Sequence, residues 1–156
     1  MITFKDLQEG VYDPNIFKAF FLAGGPGSGK SYVVRKTTGG LGMRIVNSDD
    51  VFEKKLKDAG HSLDTRAMDT QVRDKIRDVA KEVTKKKQAN YIEGRLGLII
   101  DGTGKDFEKI TRQARNLEAL GYDTHMIFVN TSLDVALQRN AERARKLAEP
   151  LVVKSW

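Results

Sequence analysis

No cysteine occurs in the 156 residues, and proline (three) and histidine (two) are scarce. Without cysteine there are no disulfides and no thiolate-bound zinc, which suits a reducing compartment, and a cytoplasmic location is expected. His61 and His125 stand alone and make no metal-ligand spacing. No apolar run approaches the roughly 18–20 residues of a membrane-spanning helix, so no membrane role is expected. The opening MITFKDLQEG is polar and acidic, unlike a secretory leader. Few aromatic residues accompany the basic run Lys85–Lys87, so a nucleic-acid stacking platform is not indicated there. There is no N-K-x-D guanine-reading motif and no transporter-ATPase signature, and the chain is short for a AAA+ module.

What is present points one way. The length predicts one domain over residues 1–156, with residues 1–15 as an N-terminal extension. Net charge is +6, which suits an anionic substrate or simply a solvated basic surface. Apolar runs at 16–23, 43–46, 96–100 and 124–129 read as strands. Between them, helical periodicity predicts helices over 30–38, 50–60, 69–90 and 107–117, and after the last strand one over 132–148. Thr131 or Ser132 is the expected cap of the last helix, and 58–70 the longest loop. Strands alternating with helices predict an α/β fold, a parallel sheet flanked by helices in three layers. Ligands in such sheets sit beyond the carboxyl ends of the strands.

Four clusters follow the strands. After the first comes Gly24-Gly25-Pro26-Gly27-Ser28-Gly29-Lys30-Ser31, which fits G-x-x-x-x-G-K-[ST]. Few side chains stand there, so backbone N–H groups can converge on phosphate oxygens at the start of a helix. Gly25, Pro26, Gly27, Ser28, Gly29, Lys30, Ser31 and Tyr32 are the expected nucleotide-binding residues, with Lys30 on the β- and γ-phosphates and Ser31 on Mg²⁺. After the second strand, Asp49 and Asp50 are candidates for the acceptor of a hydroxyl proton, or one of them caps the next helix. After the third, Asp101 follows four apolar residues, the pattern of a Walker B carboxylate that holds Mg²⁺ through water or contacts the substrate, and Gly102-Thr103-Gly104 permits close backbone approach; the alternative is an ordinary strand-end turn. In the last helix Arg139 and Arg143 fall four apart on one face, with Arg145 beyond them. A lid over residues 139–150 is expected to put these arginines on the transferred phosphate; the alternative is a solvated basic face pairing with Glu142 and Glu149. The Lys85–Lys87 run complements a helix end or touches nucleic acid.

In this order, LAGGPGSGKS, VNSDD, IIDGTG and RNAERAR resemble the zeta-toxin and polynucleotide-kinase-like P-loop kinases, over about residues 16–150. The resemblance implies a P-loop NTPase fold and ATP-dependent phosphorylation of a hydroxyl on a nucleotide, nucleotide-sugar or nucleic-acid 5′ end. It implies Asp49 as general base, Asp101 as a substrate contact beside Thr103, and Arg139, Arg143 and Arg145 as lid residues. ATP and Mg²⁺ are the implied cofactors. An NTP hydrolase and a non-catalytic nucleotide-binding or toxin–antitoxin module are the alternatives. The family carries a fifth strand after the lid. Here the chain runs into EPLVVKSW, so either PLVV is that strand or the chain is a piece of a longer kinase, which is the favoured expectation.

Overall fold

The computed structural model describes residues 15–37, 42–143 and 145–155. The proposed N-terminal extension, apart from Asn15, and Trp156 lie outside them. Four parallel strands form one sheet: β1 Lys18–Ala23, β2 Arg44–Val46, β3 Leu98–Asp101 and β4 Asp123–Phe128, in the order β2-β3-β1-β4. The helices are α1 Lys30–Thr37, α2 Ser48–Asp58, α3 Thr70–Glu93, α4 Phe107–Glu118, α5 Leu133–Glu142 and α6 Glu149–Val153.

Alternation along the strands separates two faces. Ala19, Phe21 and Leu98 point to one, where the end of α3 (Tyr91, Ile92) and α4 (Ile110, Ala114, Leu117) cover them. Leu22 and Ile99 point to the other, under Val34 of α1. This is the three-layer α/β arrangement the alternation predicts. A third apolar cluster lies off the sheet, where Phe52 and Leu56 of α2 meet Ile76 and Ala80 of α3. It fixes α2 to α3 and so sets one wall of the cavity described below.

Several boundaries differ from expectation. The second helix starts at Ser48, and its cap is Asn47, whose side chain accepts from the Asp49 N–H at 2.8 Å. Neither Asp49 nor Asp50 is therefore the cap; both stand in the first turn, where the helix dipole favours carboxylates. Helix α3 runs on to Glu93, so Lys85–Lys87 lie inside it, exposed, rather than at its end. Ser132 is the cap of α5. That helix stops at Glu142 instead of reaching 148, and Arg143 is already extended (φ −77°, ψ 147°). Arg139 and Arg143 thus do not share a helix face. The reason is Asn140, buried in the last turn: its amide donates to the Leu147 carbonyl (2.9 Å) and accepts from the Leu147 N–H (3.1 Å). These bonds fold the chain back on α5. PLVV is helical, within α6, and adds no strand to the sheet.

Register places the functional clusters. Leu22 of β1 lies beside Asp101 of β3, and Val46 of β2 beside Ile100. Residues following three neighbouring strands therefore emerge together at one sheet edge. Backbone bonds tie them: Gly102 N–H to Leu22 O (3.1 Å), Gly24 N–H to Thr103 O (3.2 Å) and Val129 N–H to Ala23 O (2.8 Å).

Candidate active site

The glycine-rich turn wraps the N-terminus of α1. Gly27 (φ +84°) and Gly29 (φ +104°) adopt backbone conformations that side chains resist. A Cβ at Gly27 would also sit 2.6 Å from the Ala136 carbonyl of α5, so the loop and α5 fit only with glycine there. Arg139, on α5, donates from Nη1 to the carbonyls of Gly27 (3.1 Å) and Ser28 (3.2 Å). It is thus part of the loop's own scaffold.

Lys30 folds back on this loop. Its Nζ donates to Gly24 O (2.7 Å) and Gly25 O (3.2 Å) and lies 4.0 Å from Asp101 Oδ1. Burial pushes the ammonium below its ordinary pKa, the Asp101 charge pulls the other way, and Arg143 lowers it further. For Asp101 burial is again the largest influence, and it raises the carboxyl above the usual range against the pull of Lys30. One oxygen of Asp101 accepts from Asn47 Nδ2 at 3.0 Å. The other, Oδ1, is buried without a hydrogen-bond donor.

Across the cavity stand Asp49 and Asp50. Asp49 receives a two-pronged contact from Arg145, Nη1 to Oδ1 at 3.2 Å and Nη2 to Oδ2 at 2.8 Å. Arg77 of α3 reaches Oδ1 at 3.4 Å. Burial alone would raise the Asp49 carboxyl; Arg145 and then Arg77 outweigh it, and the net shift is downward. Asp50 shifts the opposite way, raised by burial and by its neighbours Glu53 and Asp49. The two adjacent carboxylates are therefore different groups electrostatically. Arg145 itself is only 5% exposed, and its Nε lies 3.1 Å from Glu53 Oε1. That N–H is not aimed for a hydrogen bond, so the contact is charge pairing. Phe52 supports both arginines, with the Arg77 guanidinium 4.6 Å and that of Arg145 6.0 Å from its ring centre.

Lys30, Asp101, Asn47, Asp49, Asp50, Glu53, Arg77 and Arg145 all line one open cavity of about 800 Å³. Of the residues picked out from the sequence, Pro26 to Tyr32, Asp49, Asp50, Asp101, Thr103, Arg139, Arg143 and Arg145 line it. Gly25 lies behind, buried, with its carbonyl turned to Lys30. Arg143 is exposed on the wall, whereas Arg145 is buried against α2. Two further wall residues, Glu53 and Arg77, carry no motif. Glu53 is four residues after Asp49 and so on the same helix face, which is the only sequence cue to it. Arg77 has none, because its place depends on how α3 lies on α2.

With this geometry in place, comparison with known proteins is decisive at the family level. The zeta toxin family profile matches residues 8–153. The chain belongs to the zeta toxin family. No curated protein matches significantly. Among solved structures, a chain of the Pnkp1/Rnl/Hen1 RNA repair complex superposes on this zeta toxin family member with a TM-score of 0.65 at 18% identity, over 98% of this chain and 45% of that one. A chain from the PezAT chromosomal toxin–antitoxin system of Streptococcus pneumoniae gives 0.61 at 17% identity, over 80% and 51%. A protein from Chloroflexus aurantiacus described as a candidate kinase gives 0.63 at 19%, over 81% and 66%. These likenesses establish a P-loop kinase-like fold. The chain spans between 45% and 66% of the length of these three proteins.

The family's nucleotide and Mg²⁺ fit the residues present. Mg²⁺ takes hard oxygen ligands, few of them from protein. Asp101 Oδ1 is a buried carboxylate oxygen lacking a donor, and Ser31 stands in the first turn of α1 on the same cavity wall. Among the described residues no group of three His, Cys, Asp or Glu gathers to form a full protein cage for a metal. No helix among them is long and apolar enough to cross a membrane.

Proposed function

We propose that this zeta toxin family member is an ATP-dependent kinase that phosphorylates a hydroxyl of a nucleotide, nucleotide-sugar or nucleic-acid end. The observation that carries the proposal is a single cavity with the phosphate loop on one wall and an arginine-held aspartate, Asp49, on the other.

Backbone N–H groups of the glycine-rich turn and the N-terminus of α1 receive the phosphates. Lys30 exchanges its loop carbonyls for phosphate oxygens, a stronger charge-assisted contact. Bound Mg²⁺, held by Ser31 and Asp101, would neutralise charge on the β- and γ-phosphates. Asp49 orients the acceptor. Its weakest contact is the one to Arg77 at 3.4 Å, so a hydroxyl can donate to Oδ1 in place of Arg77 while the Arg145 contacts persist. The acceptor oxygen then bonds to the γ-phosphorus, the bond from phosphorus to the β–γ bridging oxygen breaks, and ADP departs with that electron pair. The hydroxyl proton passes to Asp49. A carboxylate of lowered pKa is a weak base, which suits a loose transition state in which positioning and charge matter more than early proton removal. Arg143, exposed on the wall, can approach the transferred group.

The test is transfer of labelled γ-phosphate from ATP to a panel of sugars, nucleosides, nucleotide-sugars and oligonucleotides. Label appearing on one acceptor class supports the proposal. Release of inorganic phosphate at the same rate with and without acceptors favours a hydrolase. Binding without turnover favours a non-catalytic module.

A further inference from the structure

One wall residue is chemically out of place. Among the described residues Tyr32 is the only aromatic side chain lining the cavity, and it is 59% exposed. It follows Lys30 and Ser31 directly, in the first turn of α1. Lys36, one helical turn on, holds its ammonium over the ring 5.9 Å from the centre. The two are an i, i+4 pair on the surface of α1. A cation lies toward one π-face, and the high exposure leaves the rest of the ring uncovered. An exposed aromatic beside a phosphate cradle has the form of a stacking surface for a flat ring attached to those phosphates.

We propose that Tyr32 is the shelf on which the base of the bound nucleoside triphosphate stacks. The inference rests on the kinase reading, since the glycine-rich turn must hold the phosphates for the base to reach Tyr32. It adds a specificity rule. Every base has a π-face, so a stacking shelf recognises a base without identifying it. ATP and GTP should therefore bind within a few-fold of one another. Inorganic tripolyphosphate should lose only what the shelf contributes.

Calorimetric titration of ATP, GTP and tripolyphosphate, each with Mg²⁺, into the wild type, Tyr32→Ala and Tyr32→Phe tests this. The Ala variant is expected to weaken ATP and GTP roughly 5- to 100-fold, the range of one base–aromatic stack, and to leave tripolyphosphate within twofold. The Phe variant, which keeps the π-face, should bind all three as the wild type does. Unchanged ATP affinity in Tyr32→Ala overturns the shelf. So does equal weakening of ATP and tripolyphosphate, which would place Tyr32 in the phosphate grip. A wild type that binds neither compound would fell the kinase reading itself, and the shelf with it.

Discussion

Residues 26–32 form one wall of the cavity largely from backbone, in a single uninterrupted stretch. The opposite wall is made of side chains drawn from α2, α3 and the loop after α5, and its central carboxylate is held by arginines from two of these. The first wall is specified locally. Positive-φ glycines and a helix N-terminus make a phosphate cradle whatever surrounds them. The second exists only when three elements dock correctly. Conformational freedom should therefore concentrate on the second wall, together with whatever selectivity the acceptor requires.

Breaking the second wall at its centre should have the largest effect. Asp49→Asn keeps the shape and removes the proton acceptor, so transfer should fall ~10²–10⁴-fold while ATP affinity measured by calorimetry stays nearly constant. Asp50→Asn should leave transfer within a few-fold, because the arginine contacts converge on Asp49; reversal of the two results would move the base to Asp50.

Lys30→Ala breaks the first wall instead. Losing a charge-assisted contact should weaken ATP by about 1.5–3 kcal/mol. The fold should persist, and full ATP affinity in a folded variant would remove the phosphate-loop assignment.

Arg145→Ala separates the walls in a different currency, stability. Removing one partner of a buried ion pair costs 3–5 kcal/mol. Asp49 and Glu53 retain 43% and 31% exposure here, so ~1–3 kcal/mol is expected once solvent screening is allowed for. Because Arg145 and Arg77 hold the Asp49 carboxyl below its ordinary range, the pairing stabilises the fold at pH above that range and is lost as pH falls through the folded-state pKa. The difference in melting temperature between wild type and variant should shrink as pH drops below about 4. A gap independent of pH would mean that Arg145 contributes by packing alone.

Asn140→Ala, which leaves two backbone groups of Leu147 without their partner, should cost no more than Arg145→Ala. A loss of about 1–3 kcal/mol in thermal or urea unfolding is predicted, with ATP affinity nearly unchanged, since the Asn140 side chain bonds to Leu147 while Arg139 makes the contacts of α5 to the phosphate loop.

How legible each wall was follows from the same contrast. The phosphate loop, the strand-following clusters and the parallel three-layer sheet could be read from spacing and periodicity, because each depends on neighbours in sequence. The end of α5 could not. Helical pattern runs on through Arg143, and only the tie from Asn140 to Leu147 folds the chain back. For the same reason Arg143 and Arg145, two residues apart, have opposite surroundings, one exposed and one buried. Arg77 was invisible because α3 carries many charged residues, and which of them faces the cavity is set by the packing of its Ile76 and Ala80 on Phe52 and Leu56 of α2, distant in sequence. Asn47 was legible in principle as a helix cap; its second contact, to Asp101, required the register of β2 beside β3.

The Asn140–Leu147 tie also offers a spectroscopic handle. The described residues between α5 and α6, 143 and 145–148, have no regular secondary structure, so most of their amide protons should exchange quickly with deuterium. The Leu147 amide, bonded to a buried side chain at 3.1 Å, should exchange slowly. A single protected resonance in an otherwise fast-exchanging stretch would report directly on whether the Arg145 loop is seated, residue by residue and without any enzymatic assay.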